Sequence, residues 1–250
     1  MPLPQRCGGG YFHHVIDPLP HWLNRAPLAW RFRGRKRRAA LDQIILHESV
    51  TTTTSTAVRV LKRRRLSVHY TVAPDGTTLE HCPPAKRCTH AAGHNHRSIA
   101  VEVIGRGYPP KQLAAGRDVI GARWMHKGRY LVPPGEQMRA VWRLVRYLCQ
   151  RHDMAPDNFP GITTGGRFRW GRIANAKDPG IMAHARFQHS DGLYPEHYAV
   201  CRAGGMDHAT ALAYTLRHAA SGQRVTDLPF GLTCEDWPAA ITPAELELDA

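Results

Sequence analysis

Apolar positions fall into short runs in the first half of the chain and into helical stripes in the second. Asp42 to His47 holds a brief, β-branched apolar run, the pattern of a buried strand. Thr51 to Thr54 offer N-cap oxygens for a helix reaching about Arg65, with Val58 and Leu61 on its apolar stripe. Val68 to Val72 predicts a strand that turns at Pro74-Asp75-Gly76-Thr77 into a second short one. Residues 82–97 are too rich in Pro, Gly and His for a regular element, and a strand at 98–104 follows. A long loop is expected from there to Gly135, bracketed by Pro109-Pro110 and Pro133-Pro134. Glu136 to His152 reads as a helix, because Val141, Leu144, Val145 and Leu148 share one face with arginines opposite. The segment 161–180, with its Gly-Gly and the run Phe168-Arg169-Trp170, suggests a hairpin or a substrate-facing loop. A last helix, rich in Ala and Leu, is expected over roughly 207–221. Strands and helices mixed without strict alternation predict an α/β fold, a central mixed sheet flanked by helices.

Pro2, Pro4, Pro18, Pro20 and Pro27 spoil long helices, so residues 1–38 read as an irregular, basic N-terminal arm. Residues 39–203 then form the body, and 204–250 a C-terminal helix and an acidic tail packed on it. No internal repeat divides the 250 residues, and 42% hydrophobic with 22% charged residues argues against wholesale disorder. No apolar stretch approaches the ~20 residues that span a bilayer, so membrane insertion is not expected. The opening MPLPQRCGGGYFHH lacks the regions of a signal peptide, which predicts synthesis and first residence in the cytoplasm.

Charge adds a partner class. Lys and Arg number 34 against 20 Asp and Glu, a net +14, which favours anionic polymers such as nucleic acid, wall teichoic acid or peptidoglycan stems. Much of it sits in Arg31–Arg38 and Lys62–Arg65, whose plain reading is a solvated face. No nucleic-acid motif accompanies it, so no specific nucleic acid is expected. Six cysteines (Cys7, Cys82, Cys88, Cys149, Cys201 and Cys234) form no CxxC. Cys82 and Cys88, flanked by His81 and His90, suit a small zinc site or a disulfide, while a reducing cytosol favours free thiols.

The candidate chemistry lies around His69 to Gly105. There the strand-like run Ser98-Ile-Ala-Val-Glu-Val-Ile104 carries one carboxylate, Glu102, among aliphatic residues. Burying it is costly, because desolvation disfavours the charged form. Upstream, Ile44-Ile45-Leu46 ends in His47; downstream, Gly180-Ile-Met-Ala ends in His184, followed by His189 and Asp191. Two histidines and a carboxylate at strand ends, with a further carboxylate in reach, are the pattern expected of a hydrolytic zinc site. Each alone has a plainer role: His47 as a core histidine, Asp191 as a turn cap with Gly192, Glu102 as an ion-pair partner for an arginine.

These residues, with His69-Tyr-Thr-Val-Ala-Pro-Asp-Gly-Thr77 and Thr89-His-Ala-Ala-Gly-His-Asn-His-Arg-Ser-Ile-Ala-Val-Glu102, resemble the type 2 N-acetylmuramoyl-L-alanine amidases. That family includes phage lysozyme-type amidases, cytoplasmic anhydro-muropeptide amidases and animal peptidoglycan recognition proteins. The resemblance spans roughly residues 40–200. It implies zinc bound by His47, His184 and Asp191. The catalytic group is then Glu102, since Val68 stands where the tyrosine-using branch has its tyrosine. His189 replaces the lysine common two residues before the third ligand, the spacing from His184 is short, and the usual Asp-Pro-Gly reads Asp191-Gly192. Asp178, in Lys177-Asp178-Pro179-Gly180, is a reserve ligand.

The implied reaction is hydrolysis of the amide joining N-acetylmuramic acid to the stem L-alanine in peptidoglycan or muropeptides. Glu102 would accept a proton from water and pass it to the departing amine, and protonated His189 would stabilise the developing oxyanion. His90, His94 and Asn95 would line the substrate groove, and Arg97 would pair with a stem-peptide carboxylate. A monomer is expected, acting on the wall after lysis or export or on cytoplasmic muropeptides. The competing expectation is a peptidoglycan-binding protein of the same fold without turnover.

Overall fold

The computed structural model describes residues 19–105, 117–125, 128–163, 167–168, 170, 177–186 and 191–221. Along them run β1 (Leu23–Arg25), β2 (Arg35–Lys36), β3 (Gln43–Glu48), α1 (Thr54–Arg63), β4 (Tyr70–Val72) and β5 (Thr78–Glu80). Next come β6 (Lys86–Arg87), β7 (Ser98–Val103), β8 (Val119–Gly121), β9 (Arg129–Leu131) and α2 (Gly135–Arg151). The remainder are β10 (Ile162–Thr163), β11 (Arg167–Phe168), β12 (Gly180–Ala183), α3 (Leu193–Ala203) and α4 (His208–Ser221).

Six strands form one mixed sheet in the order β1-β5-β4-β7-β3-β12. All neighbours are parallel except β4 and β5, the hairpin turned by Pro74–Thr77. Successive side chains of a strand point to opposite faces, and the central strands use both. Ile44, Leu46, Ile99, Val101 and Ile181 join one core with Val141, Leu144, Leu148 and Tyr198 of the helices. On the other face Ile45 packs with Met182 and Ala91 from the 82–97 loop. A strand buried on both sides reads as a continuous apolar run, which is why 43–48 and 98–103 stand out in the sequence.

The helices expected at 51–65, 136–152 and 207–221 are present within two or three residues of those bounds. Thr53 caps α1, its Oγ1 accepting from the Thr56 N–H at 3.2 Å. Three segments differ from expectation. The supposed loop before Gly135 contains the β8–β9 ladder, in which Val119 faces Leu131. The proline-punctuated arm supplies β1 to the sheet edge, paired with β5. And α3 has no signature in the hydrophobic pattern, because Leu193 through Cys201 are all buried. A helix whose first nine residues are all buried leaves no contrast of apolar and exposed faces to detect, and its Pro195 sits in the first turn, where no helical donor is needed. The segment 161–180 does carry a short hairpin, β10–β11. His189 and the tail at 222–250 lie outside the described residues. Among the described residues, no helix is long and apolar enough to cross a membrane.

Inside this helical layer, His197 of α3 is fully buried, stacked on Trp170 and Tyr214 and bonded through Nδ1 to Thr215 Oγ1 at 3.0 Å. Burial pushes its pKa down to about 3, with His218 and Arg186 adding to the effect. Above about pH 6.5 the ring is neutral folded and unfolded alike. Below that the unfolded chain takes up a proton that the folded one refuses, so stability falls by about 1.4 kcal/mol per pH unit until the folded pKa is reached. His197→Phe keeps the ring stack and removes the proton site. Urea unfolding at pH 6.5, 5.5 and 4.5 is expected to show a shallower loss of stability in that variant, and an equal slope would count against the assignment.

Candidate metal centre

The parallel register brings the chemistry together. Strand β7 lies beside β3 with Glu102 directly opposite His47, so both side chains leave the same face of the sheet. On the other side of β3, Ala183 of β12 pairs with Leu46. The next residue, His184, therefore leaves the end of β12 next to His47, and the two rings lie 4.4 Å apart between centroids. Asp191 closes the group: its Oδ1 is 3.2 Å from His184 Nδ1 and its Oδ2 is 3.7 Å from His47 Nδ1. One ligand atom from each residue fits within 4.8 Å of the others, and all three side chains are buried. Burial works to raise the Asp191 carboxyl, yet the hydrogen bond with His184 and the two flanking imidazoles hold it well below the usual carboxylate range.

Asp191 is placed by its backbone. Its carbonyl accepts the Ala185 N–H at 2.9 Å, and the N–H of Gly192 donates to Glu48 Oε2 at 2.7 Å. The other Glu48 oxygen accepts the Tyr130 hydroxyl from β9. Gly192 has φ +85°, and a Cβ there would overlap the Leu46 carbonyl oxygen. Both the left-handed backbone and the close approach demand glycine. Gly192→Ala is expected to cost about 3 kcal/mol or more, checked by thermal unfolding. A variant with unaltered melting would refute the clamp. Glu48 was not singled out in the sequence; the available signal was a second polar residue following His47 at the end of an apolar strand.

The cleft in front of this group encloses about 860 Å³. His47, Glu102, His184 and Asp191 line its floor, and α1 gives it a wall of Ala57, Val60 and Leu61 with Arg64 at the helix end. The residues expected to line a groove have partners within the fold. His90 Nδ1 lies 3.0 Å from His47 Nε2. His94 Nδ1 is 3.0 Å from Gln43 Oε1, and Asn95 Oδ1 accepts the N–H groups of His90 and Ala91, both at 2.8 Å. Arg97 is ion-paired with Asp42 and donates to the Lys177 carbonyl. His90 and Asn95 still border the cleft. The Asp178 carbonyl accepts from Gln43 Nε2 at 2.8 Å, while the carboxylate that joins the two histidines is Asp191. Cys82 and Cys88 are buried free thiols, Cys88 pushed up by its hydrogen bond with Cys82 and by burial.

The profile of the family described as N-acetylmuramoyl-L-alanine amidase (Amidase_2) matches residues 37–192, more than half of the chain. The chain belongs to this amidase family. No curated protein matches it in sequence. Solved amidase structures similar to it include LysC from Clostridium intestinale, at 15% identity and TM-score 0.41 over 66% of this chain and 85% of that one. The hydrolase AmiA of Staphylococcus aureus is 14% identical, with TM-score 0.41 over 83% and 87%. The Drosophila peptidoglycan recognition protein SA is 12% identical, with TM-score 0.36 over 61% and 72%.

For an amidase the donor set has a direct chemical meaning. Two imidazole nitrogens and one carboxylate oxygen are the ligand types zinc takes in hydrolytic sites, where three protein ligands leave one position for water or substrate. All three line the cleft, so the residues present fit such an ion.

Proposed function

We propose that this amidase is zinc-dependent and hydrolyses the amide between N-acetylmuramic acid and the L-alanine of the stem peptide. His47, His184 and Asp191 hold the metal and Glu102 serves as general base. The observation that carries the reading is the convergence of two imidazoles and a carboxylate on the cleft floor, with Glu102 in register with His47. Bound there, zinc would supply the acidity that lets water ionise near neutral pH and the charge that polarises a carbonyl. Glu102 would accept a proton from the attacking water and pass it to the departing L-alanine amine, the ordinary task of a positioned carboxylate. Asp191 balances part of the cationic charge, and Glu48 and Tyr130 fix Asp191 through Gly192. His189, two positions before Asp191, is assigned the charge developing on the carbonyl oxygen. The apolar wall of α1 with Arg64 at its end suits a peptide that ends in carboxylates.

The test is digestion of purified sacculi. New L-alanine amino termini are expected to appear, to fall at least about 100-fold after chelation and to return with zinc, since metal catalysis is worth several kcal/mol. Zinc bound with no amino termini released would leave a wall-binding protein of the same fold. Release that survives complete chelation would rule out the metal.

A further inference from the structure

We propose that His90 is a positioning residue that sets the tautomer in which His47 meets the metal, through a hydrogen-bond relay ending at a backbone carbonyl. The proposal rests on the zinc reading above and adds to it a buried device that no ligand count contains.

The direction of the relay follows from its far end. Ser98 Oγ lies 2.8 Å from the His94 carbonyl oxygen, which can only accept, so the single hydroxyl proton points there. The same Oγ is 3.1 Å from His90 Nε2 and, with its proton committed, must accept; His90 therefore carries its proton on Nε2. The bare Nδ1 of His90 then faces His47 Nε2 at 3.0 Å and accepts in turn. His47 is left with its proton on Nε2 and its lone pair on Nδ1, the nitrogen turned toward Asp191. A doubly protonated His90 would break this logic, but neither of its ring nitrogens meets a carboxylate, and an unpaired buried charge is costly.

The alternative tautomer is the one the site would otherwise favour. Without His90, His47 lowers its energy by turning an Nδ1–H toward the Asp191 carboxylate 3.7 Å away. In that state the lone pair points into the protein and His47 offers the metal no donor. His90 makes the productive tautomer the hydrogen-bonded one, the role that outer-shell partners of metal-binding histidines commonly fill. The ring is held for it: the His90 and Ala91 N–H groups both grip Asn95 Oδ1, and Ser98 is fixed in β7 opposite Gln43. The His90 ring meets His47 edge-on at 5.2 Å, which keeps Nδ1 aimed at its partner.

Two readouts test this. Long-range proton–nitrogen NMR of the metal-free protein at pH 8 is expected to place the His47 proton on Nε2, and in His90→Phe to move it toward Nδ1. Zinc dissociation constants from chelator competition are expected to rise about 10–100-fold in His90→Phe and to recover in part in His90→Gln, which restores an acceptor. Ser98→Ala, a smaller change, frees His90 to swap tautomers and is expected to weaken zinc in the same direction. A wild-type proton on Nδ1, or zinc affinity unchanged in both His90→Phe and Ser98→Ala, would overturn the proposal. If the wild type binds no zinc at all, the zinc reading fails, while the metal-free spectra still decide the relay.

Discussion

Replacing Glu102 by Gln is expected to lower hydrolysis by about 10²- to 10⁴-fold, the usual contribution of a general base, with zinc content and fold intact. The substitution is nearly isosteric at a buried strand position flanked in register by His47 on β3 and Thr71 on β4. Packing and the ladder are therefore undisturbed; what disappears is the ability to take a proton. The measurements are the rate of L-alanine amino-terminus release, zinc stoichiometry and melting temperature on one preparation. Turnover at the wild-type rate would exclude Glu102 as the base. Lost zinc would instead make it part of the metal's support.

The second large effect is at the ligands. His47→Ala is expected to bring zinc stoichiometry and hydrolysis to background, since two remaining donors cannot hold the ion in competition with buffer. On the zinc reading the ion also stabilises the folded protein by mass action, by about 4 kcal/mol when its free concentration exceeds the dissociation constant 1,000-fold. The zinc-dependent rise in melting temperature should vanish in the variant. Asp191→Ala is expected to behave likewise, because its carboxylate is the group both imidazoles face. Full zinc occupancy in Asp191→Ala would remove it from the ligand set and reopen the search for a third donor.

Much of the molecule can be read along the chain. The central strands are visible because both faces are covered, so 43–48 and 98–103 are apolar runs interrupted only by residues with a task. Helix α2 is visible because one face is core and the other solvent. Where that contrast is missing the sequence is mute: α3 is buried all round, and the three-residue strands β8 and β9 are too short for alternation to register. The same boundary divides the site. His47, Glu102, His184 and Asp191 are legible as unlike residues at the ends of apolar runs, whereas Glu48 reads as one more charge after a strand. Loop residues such as His90 and Arg97 look like surface contacts until their partners Ser98 and Asp42 are seen.

What the chain alone determined is the set of elements and the chemical types at their ends, because period, capping and turn geometry are local properties of neighbouring residues. What the tertiary structure decided is which atoms meet. The pairing of β3 with β7 and β12 joins residues separated by more than fifty positions, and a shift of one residue would turn His47 or Glu102 to the opposite face. Local sequence carries no record of that register. It is set by the burial of both sheet faces at once, and with it which atoms meet around His47, His184 and Asp191.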